Sequence, residues 1–274
     1  MDTLTHIARL RRGWHALAAL VFLLGASSAW AEEDKLDEFV QELFLGEIVY
    51  PQEAHEIQFT TGFLWNHDES DDWRLPVVLE YGLTDSLQIA LELPVDHVDE
   101  ADATGAGNLE VEAYWNFLND PCTGWAAGAG FGIGLPTGSR EVAENAVTYE
   151  PFLVAYRQLG CSTAFNVSAA VEIEDPQESD EESEVSGEVA AALLKRYDNF
   201  VLLMEAAVEI EEDEAPVTLA PGLYWQPGDV WEVGFSLPVT LQGDSAEVGA
   251  FVLVTFEFGG DEDEGCSEMI DDEG

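Results

Sequence analysis

From Glu56 to Phe258 the chain alternates apolar and polar residues with a period of two. That period turns successive side chains to opposite faces of an extended strand. Ile57, Phe59, Thr61, Phe63 and Trp65 alternate with Glu56, Gln58, Thr60 and Gly62. Trp73, Leu75, Val77, Leu79 and Tyr81 stand opposite Arg74 and Glu80, and Leu87, Ile89, Leu91, Leu93 and Val95 opposite Gln88 and Glu92. Leu109, Val111, Ala113, Trp115 and Phe117 stand opposite Asn108, Glu110, Glu112, Tyr114 and Asn116. Eight further segments follow, near 125–135, 147–159, 162–173, 185–195, 200–210, 217–225, 231–241 and 248–258. Facing is ambiguous in the segment carrying Pro151 and Arg157, while Val185, Val189, Ala191 and Leu193 form an apolar face.

Segments of about 10 residues exceed the usual 5–6 of soluble strands and suit a tilted membrane crossing. Their connections alternate in character. Residues 83–86, 119–123, 159–161, 197–199 and 226–229 are short and rich in Asp, Asn, Gly or Pro, as tight turns require. Residues 66–72, 96–106, 137–146, 174–184 and 211–216 are longer or more acidic, and 242–245 is short. The pattern predicts an all-β fold: a transmembrane antiparallel up-and-down β-barrel of about twelve strands, with the short turns periplasmic. An even strand number returns both ends of the chain to the periplasm.

Residues 1–31 read as a signal peptide. Arg9, Arg11 and Arg12 precede an apolar run over 16–24, and Ala29-Trp30-Ala31 forms a small-x-small cleavage site. Residues 32–55 form a periplasmic leader. Leu36, Phe39, Val40, Leu43 and Phe44 follow helical spacing, which predicts a short amphipathic helix lying at the barrel mouth or entering it as a plug; a loosely ordered leader fits as well. The barrel itself covers 56–258, and an acidic tail occupies 259–274. The last strand ends in aromatic Phe256 and Phe258, like the assembly signal of outer-membrane barrels.

Composition sharpens this picture. The chain is 47% hydrophobic with 11% aromatics, enough apolar surface to contact outer-membrane lipid. Nine Lys+Arg against 56 Asp+Glu give a net charge of -47, which repels nucleic acid and draws cations. A saline surrounding that screens the carboxylates is the favoured account of such acidity, ahead of a specific cation-binding function, and the two are not exclusive. Acidic loop clusters at Asp68, Glu69, Asp71 and Asp72, at Asp96, Asp99, Glu100 and Asp102, and at Asp175, Glu178, Asp180, Glu181 and Glu182 offer divalent cations oxygen ligands, without EF-hand spacing.

The candidate chemistry lies on the inner face. Glu80, Glu92, Glu110, Glu112, Glu172, Glu188, Glu205, Glu209, Glu232 and Glu247 are expected inward or at a rim, with Arg74 placed to pair with Glu80 or Glu110. Unpaired carboxylates are too costly to bury dry, so the lumen is expected to be hydrated and to favour cations. Gly128, Gly130 and Gly132 recur on one face of the fifth strand, leaving room for a large side chain, a plug or a solute. His67 beside Asp68, and His97 between Asp96 and Asp99, are the only enzyme-like pairs. Solvated loop groups explain them better, and no catalytic residue, cofactor or metal site is assigned. Cys122 and Cys161 fall at the open end of one predicted hairpin, where a disulfide or two free thiols are both compatible with the spacing; Cys266 has no partner in this scheme.

Three motifs carry a resemblance. Residues 80–87 read Glu80-Tyr81-Gly82-Leu83-Thr84-Asp85-Ser86-Leu87, followed by Leu93-Pro94. Residues 105–110 read Gly105-Ala106-Gly107-Asn108-Leu109-Glu110. Residues 132–138 read Gly132-Ile133-Gly134-Leu135-Pro136-Thr137-Gly138. With these the chain resembles an outer-membrane family associated with the meta-pathway of phenol degradation and described as a transporter. The resemblance implies a barrel that takes up small, aromatic compounds, and it brings no catalytic residues. The resulting expectation is a passive channel for small aromatic or cationic solutes. The alternative is a non-conducting structural or surface-interaction barrel with a plugged lumen.

Overall fold

A computed structural model describes residues 36–67, 71–177, 183–211, 215–228, 230–242 and 245–259. The predicted signal peptide, the acidic tail beyond Gly259, and Cys266 within it, lie outside the described residues. The chain forms a closed antiparallel barrel of 12 strands. They are β1 (Glu56–His67), β2 (Asp71–Leu75 and Val77–Thr84), β3 (Leu87–Glu92 and Val95–Val98), β4 (Ala103–Ala106 and Leu109–Asp120), β5 (Trp125–Leu135) and β6 (Ala146–Gln158). Then come β7 (Thr163–Pro176), β8 (Glu184–Tyr197), β9 (Phe200–Ile210), β10 (Val217–Trp225), β11 (Trp231–Ser236 and Val239–Gln242) and β12 (Ser245–Gly259). Each strand pairs with its sequence neighbours, and β12 closes on β1 from Glu56↔Gly259 to His67↔Val248. Closure removes both sheet edges, which a bilayer requires because lipid offers no hydrogen bonds to an open edge.

The interruptions in β2, β3 and β11 fall at Pro76, Pro94 and Pro238, each of which lacks the amide hydrogen that a ladder needs. Neighbouring backbone repairs the gaps. Gly107 N donates to Pro94 O at 2.9 Å and Gly249 N to Pro238 O at 2.8 Å.

The outward face is an apolar belt. Leu79, Leu91, Leu153, Leu193, Leu202, Met204, Phe235 and Val248 are among its exposed side chains. Near the tight turns it ends in rings, with Trp125, Phe200, Trp225 and Trp231 exposed and Phe256 packed 4.6 Å from Trp231. Near the long loops lie Phe63, Trp65 and Trp73. Two ring girdles around an apolar band are the surface a membrane barrel presents to lipid and its interfaces. Facing in β6 is settled: Phe152, Val154 and Tyr156 are buried inward, while Arg157 turns out and lies 4.8 Å over the Trp125 ring.

The core is inside the barrel, and among the described residues the leader supplies 6 of its 17 buried residues. Leu36, Phe39, Val40, Leu43, Val49 and Tyr50 are buried against Tyr114, Phe152, Tyr156, Leu194, Leu203 and Tyr224 of the wall. The leader is not a helix: residues 36–53 run as irregular chain with bends. The expected helix fails because wall side chains take the backbone amides that an α-turn would have used. Gln41, Phe44, Leu45, Glu47 and Gln52 all donate their N–H groups across the lumen. The apolar spacing reflects contact with a surrounding wall rather than one helical stripe.

Candidate functional site: the barrel lumen

The leader enters and leaves at the turn end. Asp37 is tied to Gln158 at the end of β6, Gln158 Nε2 donating to Asp37 Oδ2 at 3.0 Å. Arg196 donates to Glu38 O and stacks its guanidinium 4.3 Å over the Phe39 ring, and Gln226 Nε2 donates to Phe39 O at 2.8 Å. Deeper in, Gln41 N donates to Glu232 Oε1 at 2.9 Å. Phe44 N and Leu45 N donate to the two oxygens of Glu205 at 3.1 and 2.9 Å. The chain then crosses to the opposite wall, where Asn166 donates to Glu47 O and Tyr114 and Asn116 both donate to Val49 O. It returns past Gln52, which bonds to Gln88 and Gln58, and His55 N reaches Gly82 O as β1 begins. His55 takes a positive φ of 67° at that reversal.

The passage is tight. A Cβ on Gly46 would fall 2.8 Å from both Ala190 Cβ and Ser168 Oγ, so only a glycine leader against small wall residues fits there. The glycine face of β5 is filled by wall rings. A Cβ on Gly128 would meet Tyr114 and one on Gly130 would meet Phe152, whose rings stack with centroids 5.9 Å apart at 3°. Gly132 stands freer, with Glu150 Cβ at 3.6 Å. The strand therefore gives up side chains so that two aromatic rings can reach the leader.

Beyond the leader, toward the long loops, the lumen is acidic and open. One cavity of about 320 Å³ lies among Glu42, Glu47, Glu80, Glu92, Glu110 and Glu112, with Leu64, Pro76, Val78 and Leu253 on its apolar side. A second, of about 220 Å³, lies among Glu150, Glu172, Glu188 and Glu209. Arg74 lines the first but pairs with Asp96, Nε to Oδ1 at 2.8 Å, and not with Glu80 or Glu110 as its spacing suggested. The β2–β3 register sets Arg74 directly opposite Asp96, which explains the choice.

The expected residues thus divide. Glu205 is spent on holding the leader, and Glu80 accepts hydrogen bonds from Gln58 and Gln88. Glu92, Glu110, Glu112 and Glu209 line cavities. Gln58, Glu150, Tyr156 and Tyr224 also face the interior, beyond the residues the sequence pattern points to. Alternation places Gln58 and Tyr224 on the inward phase of β1 and β10, whereas the phase of Glu150 and Tyr156 also carries Phe152 and Val154 and gives no polar signal.

Cys122 and Cys161 are free and exposed, so the bridge is absent. They occupy separate turns, and the Cys122 turn is shaped by Asp120, which accepts from Cys122 N at 3.0 Å and from Thr123 Oγ1 at 2.6 Å. His67 and His97 stack on the outward rings of Trp65 and Trp73 rather than facing the lumen. His67 bonds to Asp71 at 2.8 Å and His97 to Thr104 at 2.9 Å. Several rim carboxylates are likewise engaged by protein donors, Asp72 by Asp99 N and Asp96 by Arg74. Asp68, Glu69, Glu178, Asp180, Glu181 and Glu182 lie outside the described residues.

No family model matches the chain, and no curated protein matches it in sequence. Solved structures do match. The COG4313 outer membrane channel from Pseudomonas putida F1 superposes with a TM-score of 0.61 at 13% identity, covering 79% of this chain and 100% of that one. The NanC porin gives 0.56 at 10% identity, over 73% of this chain and 98% of that one. The KdgM porin, solved in complex with disordered oligogalacturonate, gives 0.54 at 10% identity, over 73% and 99%. At such identities the likeness speaks for architecture: the chain has the fold of an outer-membrane β-barrel, with its own leader packed inside.

Proposed function

We propose that this protein sits in the outer membrane and passes small solutes through its lumen by diffusion, cations ahead of anions, with the leader closing the turn half until it is displaced. One observation carries the reading: the 320 Å³ cavity presents Glu92, Glu110 and Glu112, while Arg74, the basic residue in its lining, is matched by Asp96. Carboxylates along a wet passage lower the free energy of a cation there and raise that of an anion. The apolar side of the same cavity gives an organic cation somewhere to rest its carbon skeleton. Aromatic solutes are the class that the sequence resemblance suggests.

The test is a planar bilayer holding the purified full-length mature barrel in a KCl gradient. A reversal potential on the cation side, with larger steps when residues 36–50 are replaced by a Gly/Ser segment, supports the reading. A barrel that stays silent in both forms supports the second reading, a non-conducting structural barrel. The aromatic core shared by leader and wall favours that alternative.

A further inference from the structure

At the top of its path the leader meets the wall carboxyl to carboxyl. Glu42 Oε1 accepts from Gln58 Nε2 at 2.8 Å and from Thr60 Oγ1 at 3.2 Å, both on β1. Glu80 of β2 accepts from the same Gln58 Nε2, so one amide nitrogen holds the two carboxyl groups side by side. Glu80 is held in place by Gln58, and by Gln88 Nε2 at 2.6 Å. Two ionised carboxylates held this close repel, so the docked arrangement is favoured while one of the pair keeps a proton.

Among the described residues, the surroundings offer no substitute for that proton. Toward the open half, Glu42 faces Glu92, Glu112 and the leader's own Glu47. Toward the turn half it faces Glu232, Glu257 and Tyr224. Each of these groups is an acid or a phenol. The nearby cations are engaged elsewhere, Arg74 by Asp96 and Arg196 by Glu38 O.

We propose that the Glu42–Glu80 contact is a proton-operated latch: protonated, it holds the leader against the wall, and once the proton leaves, two facing carboxylates push the leader tip off and open the lumen. The inference rests on the reading of the leader as a displaceable closure. Burial pushes the Glu42 carboxyl from an ordinary 4.5 up to about 7. Because the docked form holds the proton more tightly than the released form, docking is fully favoured below 4.5 and weakens as the pH rises to about 7. The expected swing in the docking equilibrium is roughly a hundredfold.

Hydrogen exchange on the full mature barrel in lipid nanodiscs tests it, at about pH 4.5 and about pH 8, each corrected for intrinsic exchange. The probes are the amides of Gln41, Phe44, Leu45 and Glu47, which bond to the wall. In the native chain their protection should fall steeply between the two conditions. In Glu42→Gln it should stay high in both, since an amide can donate to Glu80 at any pH. Should that variant fail to assemble, Glu80→Gln removes the same repulsion from the wall side and must give the same flat profile. Equal protection in the native chain at both pH values, or the native pH response persisting in either variant, overturns the latch. Conductance recorded alongside separates the two ideas. A pH-responsive leader in a barrel that never conducts keeps the latch and removes the channel. A conducting barrel with a pH-blind leader does the reverse.

Discussion

The two halves of the lumen share the same strands yet use the same residue type in opposite ways. In the turn half, Glu205 and Glu232 each face leader amides and accept their hydrogen bonds. In the open half, Glu92, Glu110 and Glu112 face a cavity. A carboxylate opposite a backbone N–H is part of the packing. A carboxylate opposite space is available to a solute. The difference lies in whether the leader passes in front of it, not in the glutamate. The filled half also carries the rings, with Tyr224 stacked on Phe44 at 5.0 Å and Tyr50 edge-on to Tyr156 at 5.1 Å.

The largest effect should come from emptying the filled half at one point. Phe39 is 1% exposed, lies under Arg196 and packs edge-on to Tyr156. Phe39→Ala should cost about 3 kcal/mol of leader docking, read as a rise in single-channel open probability; an unchanged trace would mean that the leader does not govern passage. A smaller effect is expected from the glycine face. Gly130→Val drives a side chain into Phe152 and should lower barrel stability by about 1–3 kcal/mol in urea unfolding. Gly132→Val, with its nearest neighbour at 3.6 Å, should cost less, and equal losses would contradict the packing described.

In the open half, changes should alter permeation and leave stability alone. Combining Glu92→Gln, Glu110→Gln and Glu112→Gln should reduce the cation preference severalfold in reversal-potential measurements. The barrel band in unboiled gels should stay where it was. The smallest effect belongs to the turns. Cys122→Ser and Cys161→Ser should each change stability by no more than about 0.5 kcal/mol, with or without reductant, and both native thiols should react with a maleimide. A reductant-sensitive unfolding midpoint would restore the bridge.

The strands were legible because the environment acts on each residue alone. Lipid rejects a charge at Leu79 or Leu153 whatever its neighbours are, so alternation survives in the sequence as a local signal. The side of the sheet on which Glu92, Glu110, Glu112 and Glu205 sit was readable for the same reason. Their separation into leader-holding and cavity-lining groups was not readable, because it depends on the route of a segment far away in sequence: Leu45 meets Glu205 across 160 residues. The leader's apolar spacing suggested a helix because a surrounding wall and a single helical stripe can select similar positions.

By itself, then, the sequence determined the alternating strands, their order, the turn and loop ends, the lipid-facing belt and the acidic character of the interior, all consequences of period and composition. The tertiary structure decided that the leader fills one half of the lumen as irregular chain, that Arg74 answers Asp96, that the Gly128–Gly130 face receives Tyr114 and Phe152, and that Glu42 and Glu80 share the Gln58 amide. Those are choices of partner between distant segments. Hydrogen-bond donors and free volume inside a closed wall are fixed only once every strand is in register.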